Sequence, residues 1–300
     1  MNLRQLEYFV AIADAGSFTR AAEALTVAQP SLSQQIKALE QELGGRLLER
    51  LPKGVRLTSA GREFLVEART AVTHAERAAR AARSALGLRA GELEVATVTS
   101  VGYGVLPPAL QRWHADYPDV GLTLREFRHR RTMEEAVSSG SGDIAVGPRP
   151  RDWPGEIVEL GWEEFVVVLP HGDPLAAGGE RIPIAALRDR DWVMFAPDHG
   201  LSDVIRFVCA RAGFTPRGAV VTAQVASAAH LAAAGLGVAL IPDNVVPAGL
   251  TAEIRRLRAP VVRPLVAFAR EGFGPAARAF IDVLRQQQWS PRPRGAIALD

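Results

Sequence analysis

Three runs with apolar side chains at helical spacing crowd into the first 45 residues, so closely that a small three-helix core is the only way to bury them all. Leu6, Phe9, Val10 and Ala13 recur at i, i+3, i+4 and i+7, and Phe18, Ala21, Ala22 and Leu25 repeat the pattern after Gly16 and Ser17 interrupt it. Ser17 suits a helix N-cap, and Gly16 before it lets the chain turn sharply. A third helix is expected to open at Gln29 and Pro30, to bury Leu32, Ile36, Leu39 and Leu43, and to stop at Gly44 and Gly45. At 100° per residue its other face carries Pro30, Gln34, Lys37 and Gln41, with Ser33 at the margin.

A helix that shows amides, a serine and a lysine, after a two-helix turn of Thr26, Val27 and Ala28, suits a DNA major groove. There Gln reads adenine edges, Ser bonds to either base type, and Lys meets guanine or phosphate. Leu47 to Arg50 and Val55 to Thr58 alternate as two short strands around the turn Leu51-Pro52-Lys53-Gly54. Such a hairpin beside a helix-turn-helix is a wing, and Lys53 with Arg50 or Arg56 is placed to touch the minor groove or the backbone.

The strings Leu3-Arg4-Gln5-Leu6-Glu7-Tyr8-Phe9, Gly16-Ser17-Phe18-Thr19-Arg20-Ala21-Ala22 and Gln29 through Glu40 resemble the LysR-type transcriptional regulators. The resemblance implies that Gln29, Pro30, Ser33 and Gln34 meet bases. It also implies that Ser17, Thr19, Lys37 and Lys53 lie near phosphates or the minor groove. With Ser31 and Arg50 these make up the candidate DNA surface; the competing reading is of solvated helix residues.

Net charge is only +2, but residues 1–90 hold 13 basic and 9 acidic residues, so the excess sits at the N-terminal end. Both lysines of the chain, Lys37 and Lys53, fall on the candidate DNA surface. So weak an excess implies a dimer that presents two helices to two half-sites. Apolar residues make up 48% of the chain, which excludes a disordered polymer. No apolar run approaches the ~20 residues of a membrane helix, and no signal-peptide core opens the chain, so a cytoplasmic protein is expected. The lone Cys209, set between Val208 and Ala210, reads as a packed thiol rather than a redox sensor. The six histidines show no metal spacing, and neither metal nor cofactor is expected.

From Thr58, a plausible N-cap, to Leu86 there is no proline, and Leu65, Ala68, Val72, Ala75, Ala79, Ala82 and Leu86 alternate steps of three and four. This heptad seam, flanked by charges, predicts a dimerisation helix about 43 Å long. The alternative is a helix folded against its own chain. After Gly87 to Gly91, expected strands at 93–98, 120–127 and 144–146 alternate with helices at 106–115 and 132–138. A second set follows: strands at 165–169 and 192–195, helices at 202–212 and 227–234, and a buried strand in Gly235 to Pro242. This alternation predicts parallel sheets with helical crossovers in two α/β subdomains.

Leu106-Pro107-Pro108, Gly142-Asp143-Ile144-Ala145-Val146, Asp173-Pro174-Leu175-Ala176 and Gly235 to Pro242 resemble the effector domain of the same family, which is similar to periplasmic solute-binding proteins. The expected fold class is therefore α/β: a winged helix-turn-helix (1–58), a linker helix (59–90) and an effector domain (91–300). By that resemblance subdomain I takes about 91–161 and 267–300, and subdomain II about 162–266. The last helix would run from Pro275 to Gln288, and residues after Ser290 read as a loose tail.

Ligands in open α/β sheets sit beyond strand carboxyl ends, where helix starts offer free N–H groups. Candidate effector residues are therefore Thr99, Ser100 and Val101 after the first strand, and Thr132 behind the basic run Arg128 to Arg131. His199 and Ser202 follow the strand ending at Phe195, and Gln224 and Ser227 open the helix before Gly235. By resemblance Ser100 falls on the family's effector-contacting hydroxyl. Arg149 either supplies a cation for a carboxylate or stays solvated, and each Ser or Thr has simple helix capping as its rival role. Gly102 and Gly104, where relatives carry larger residues, predict a roomier pocket or a mobile first turn.

The function expected is that of a homo-oligomeric regulator, a tetramer by resemblance. It would bind dyad-symmetric promoter DNA under the control of a small anionic metabolite held between the effector subdomains. A DNA-binding regulator without a small-molecule effector is the alternative, and an α/β enzyme the weaker one. No nucleophile elbow, P-loop or dinucleotide fingerprint appears for an enzyme.

Overall fold

The computed structural model of the chain describes residues 1–51, 54–85 and 92–299. Two compact units result, the first through the long fourth helix and the second from the strand that follows it.

In the first unit, α1 (Leu3–Ala15) opens on a capping box in which Asn2 and Gln5 satisfy each other's backbone N–H groups, and it ends on Gly16 at φ 61°. Helix α2 (Phe18–Ala24) and helix α3 (Gln29–Glu42) follow. Phe9, Ile12, Ala21, Leu32, Ile36 and Leu39 close one dry core. Leu43 does not join it: α3 ends at Glu42, so Leu43 is the C-cap residue and stays 44% exposed.

Strands β1 (Leu48–Leu51) and β2 (Gly54–Leu57) pair antiparallel in the expected register, with Glu49 opposite Arg56. The wing is tied down at both ends. Glu40 of α3 accepts from the Leu47 and Leu48 N–H groups at 2.8 and 3.0 Å, and Val55 N–H donates to Gly16 O at 3.0 Å. A side chain at Gly54 would put its Cβ 2.7 Å from that same oxygen, so glycine is what lets the wing lie on the end of α1.

Helix α4 (Ser59–Ala85) is capped by Thr58, whose hydroxyl oxygen accepts from Gly61 N–H at 2.9 Å. Phe64 meets Phe9 edge-to-face at 5.2 Å, Ala68 is buried, and Leu65 and Val72 pack on the same core. Arg69 pairs with Asp14 of α1. The first three seam positions are thus covered by the chain's own α1, as the alternative reading held, while Ala75 and Ala79 stay half-buried. Leu86 lies outside the described residues.

The second unit runs β3 (Glu92–Val98), α5 (Thr99–Gly104), α6 (Leu106–Asp116), β4 (Gly121–Phe127), α7 (Arg130–Ser138), β5 (Ile144–Pro148), β6 (Glu156–Leu169) and β7 (Arg181–Ile182). It continues through β8 (Asp191–Phe195), α8 (Gly200–Arg211), β9 (Arg217–Thr222), α9 (Val225–Ala233), β10 (Ala239–Pro242), β11 (Glu253–Ala269), α10 (Pro275–Arg285) and β12 (Ile297–Ala298). Parallel pairing joins β4, β3 and β5, as expected from the crossover pattern. The sheet then changes character, because β11 pairs antiparallel with both β5 and β6, and β6 with β10.

β6 runs far beyond the strand expected at 165–169, β11 was not expected as a strand, and the two cross from one apolar core to another. The first core gathers Leu93, Val95, Trp113, Val146, Phe268 and Phe280, with Trp113 and Phe280 edge-to-face at 5.5 Å. The second gathers Phe165, Val167, Trp192, Phe195, Ile205 and Leu240. Charges inside the two crossing strands meet across the ladder: Arg256 pairs with Glu164, and the buried Arg263 with Glu163. Cys209 sits in the second core on α8, where burial pushes its thiol up to about 12.

Two expectations fail at the end of the chain. Helix α10 stops at Arg285, and the Trp289 indole N–H then donates to Leu284 O at 2.8 Å, filling one of the carbonyls the helix end leaves open. Residues after Ser290 are not loose either, for β12 adds to β11 in parallel, with Val261 opposite Ile297 and Val262 opposite Ala298. Among the described residues, no helix is long and apolar enough to cross a membrane.

Candidate nucleic-acid interface and effector cavity

Helix α3 owes its orientation to its apolar stripe. With Leu32, Ile36 and Leu39 fully turned into the core, helical geometry sends Pro30, Ser31, Gln34, Lys37 and Gln41 outward, and all five are exposed. Gln29 and Ser33 are half-buried at the edges of this face. The turn leading into it holds Thr26 at φ 54°, a left-handed conformation uncommon for a β-branched residue, and Val27 N–H closes it on Ala22 O at 3.0 Å. Ser17 caps α2, with its hydroxyl oxygen accepting from Arg20 N–H at 3.5 Å, and Thr19 is exposed in the first turn. Arg56 on the wing pairs with Glu49 at 2.6 Å. Arg50 lies in β1 opposite Val55; Lys53 lies outside the described residues.

In the second unit a cavity of about 470 Å³ opens where five segments converge with β12. β3 and α5 bring Val98, Thr99 and Ser100; the stretch into α7 brings Arg128, His129 and Arg130; the end of β5 brings Pro148, and Arg151 follows it. The start of α8 adds His199, Gly200, Leu201, Asp203, Val204 and Phe207, β11 adds Arg263, and the tail adds Ala298 and Leu299. Four arginines and one carboxylate, Asp203, thus line it, and three of the arginines are paired with carboxylates set back from the lining: Arg128 with Asp198, Arg130 with Glu134 and Arg263 with Glu163.

The polar groups are held in advance. Ser100 is 2% exposed and its Oγ accepts from the Arg263 guanidinium at 2.8 Å. Arg263 is itself fixed by its ion pair to Glu163, whose other oxygen accepts from Asn244 Nδ2 at 3.0 Å. His199 caps α8: its Nδ1 accepts from Leu201 N–H at 3.2 Å, so in the neutral ring Nε2 is the donor, toward Thr99 Oγ1 at 3.1 Å. Burial first, and then the Arg263 cation, lower its pKa to about 4, so the ring is uncharged at neutral pH. Its face stacks on Phe195 at 4.8 Å. A wider cavity of about 910 Å³ near Gly104 has the opposite charge balance, with Asp116, Glu163 and Asp243 against Arg112.

Residues 86–289 match the family model of the LysR substrate binding domain, and residues 3–62 that of the bacterial regulatory helix-turn-helix protein, lysR family. The chain belongs to the LysR family of transcriptional regulators. This LysR-type regulator is 32% identical to the HTH-type transcriptional regulator AlsR of Bacillus subtilis over 96% of this chain and 97% of that protein. It is 35% identical to the uncharacterized HTH-type transcriptional regulator YnfL of Escherichia coli over 81% of this chain and 83% of the other. Among solved structures, the LysR family regulator CbnR superposes with a TM-score of 0.70 at 28% identity, covering 95% of this chain and 99% of CbnR. CbnR complexed with its target DNA gives 0.68 at 29% identity, again over 95% and 99%. The winged helix-turn-helix and α/β effector-domain architecture is thus that of a DNA-binding regulator, and these relatives are regulators, not enzymes.

Within this LysR-type fold the cavity gathers Thr99, Ser100 and His199 but not the other six candidates. Val101 is fully buried in the first core, because the turn after β3 becomes helix α5 and points it inward. Thr132 is exposed inside the first turn of α7 and its hydroxyl donates back to His129 O at 2.8 Å, while the His129 ring caps that helix by accepting from Arg131 N–H at 3.0 Å. Arg149 pairs with Glu159. Ser202 is buried, with Arg206 Nε donating to its Oγ at 3.4 Å. Gln224 is the exposed N-cap residue of α9, Ser227 is half-buried in that helix, and both stand outside the cavity. Nor do Gly102 and Gly104 enlarge it: a Cβ at Gly104 would come within 2.6 Å of Asn244 Oδ1, and one at Gly102 within 2.4 Å of Glu126 Oε1. The small residues serve close packing. Arg263 and Arg151 were not among the candidates, and no periodicity marked the strand that carries Arg263.

Proposed function

We propose that this regulator binds dyad-symmetric promoter DNA in the cytoplasm as a homo-oligomer, and that a small anionic metabolite in the cavity at Ser100 and Arg263 controls it. The observation that carries the anionic class is the buried Ser100 hydroxyl held by the Arg263 guanidinium in a cavity that Arg128, Arg130 and Arg151 also line. Residues 1–58 form the reader, 59–90 the linker and 91–300 the effector domain, split at about 161/162 and 266/267. Gln29, Pro30, Ser33 and Gln34 face bases, and Ser31 belongs to the same DNA surface. Ser17, Thr19, Lys37, Arg50 and Lys53 face the backbone or minor groove. Dimers form through the half of α4 beyond Val72, since its first half is already covered by α1, and pair into tetramers.

The metabolite changes DNA binding only as far as it prefers one arrangement of the effector domain, typically ~1 to 3 kcal/mol. The test combines a thermal-shift screen of organic acids with footprinting on the chain's own promoter region. A ligand that raises Tm in proportion to log concentration and alters the footprint supports the reading. A footprint that no stabilising acid changes, or that Gln34→Ala and Ser33→Ala leave intact, overturns it.

A further inference from the structure

The apolar side of the cavity is built partly by the end of the chain. Helix α10 and Trp289 belong to the first core, yet Ile297 and Leu299 pack on the second, so residues 291–299 span the two as β6 and β11 do. They are held lightly. Trp162 bridges to Ser290, the Arg292 guanidinium lies 5.1 Å from the Trp162 ring centre, and β12 contributes two residues of parallel ladder. Leu299 N–H then donates to Val262 O at 2.8 Å, directly before Arg263. This registers Ala298 and Leu299 on the cavity, whose apolar lining Val98, Leu201 and Phe207 complete.

We propose that residues 291–299 are a detachable wall of the effector site, which suits that site to a small organic anion. The carboxylate meets Ser100 and Arg263, and the apolar body lies against Leu299. The proposal rests on reading this cavity as the effector site. An inorganic anion gains nothing from such a wall, because it has no apolar surface to withdraw from water. Two ladder residues give way long before the β6–β11 ladder does, so the wall opens without the sheet opening.

The test compares the full chain, a chain ending at Pro293, and Leu299→Ser, with benzoate and inorganic phosphate as probes. Without any ligand, hydrogen exchange of the Thr99, Ser100 and Leu201 amides should accelerate about tenfold in the shortened chain. By calorimetry, benzoate binding should weaken about tenfold on shortening and about threefold in Leu299→Ser, with phosphate changing less than about twofold. Unchanged exchange and unchanged benzoate affinity overturn the proposal, and so does an equal loss of phosphate affinity. If shortening unfolds the protein, Leu299→Ser decides by the same two readouts. If neither probe binds the full chain while exchange still accelerates, the wall stands and the effector reading falls.

Discussion

Helix α3 and the Ser100 cavity present themselves to partners by opposite means. The helix keeps its apolar stripe on its own core and shows water a row of amides, so its outward side chains carry little folding energy. The cavity withdraws its polar groups from water and locks them together, with the Arg263 and Glu163 side chains only 8% and 1% exposed. Recognition is separable from stability on the helix and fused with it in the cavity.

That contrast breaks first, if it breaks, at the buried pair. Arg263→Met strands a buried carboxylate and should destabilise the second unit by about 3–5 kcal/mol in urea unfolding, while Arg263→Met with Glu163→Met recovers most of the loss. A single variant as stable as the parent would make the cavity no more committed than a surface. Gly104→Val drives a side chain into Asn244 and should cost about 1–3 kcal/mol, whereas a stabilised variant would restore the idea of spare room there.

On the helix, Gln34→Ala should weaken operator binding in gel-shift titrations by about 1–3 kcal/mol, if Gln34 meets an adenine, and leave Tm unchanged. A fall in Tm would erase the separation between the two surfaces. The smallest effect concerns pH. His199 titrates near 4 when folded and near 6.5 when unfolded, so the unfolded chain takes up the proton first. Its contribution is complete above pH 6.5 and declines as pH falls toward 4, by on the order of 1–2 kcal/mol between pH 7 and 5. His199→Gln should flatten that part of the stability curve.

The reading surface was legible because everything that orients it is local: the stripe Leu32, Ile36 and Leu39 and the face Gln34 and Lys37 lie on one helix. Ser100 and His199 were legible for a related reason, since each stands where a strand ends and a helix begins. Arg263 was not. Its strand breaks the usual apolar alternation with Arg255, Arg256 and Arg258, and the carboxylate that neutralises it lies 100 positions away. The tail misled in the same way, because Pro291, Pro293 and Gly295 describe only its local freedom and not the edge of β11 that captures it. Ser202 and Thr132 obeyed the local rule, but packing under Arg206 took the one and a bond back to the His129 carbonyl the other.

The buried thiol of Cys209 has a practical side. Uncharged at neutral pH and shut inside the second core, it should ignore maleimides, so the natural chain already behaves as a cysteine-free parent. A dye attached through Asp189→Cys, an exposed position, could then report by energy transfer on a labelled promoter duplex, with the rest of the sequence left as it is.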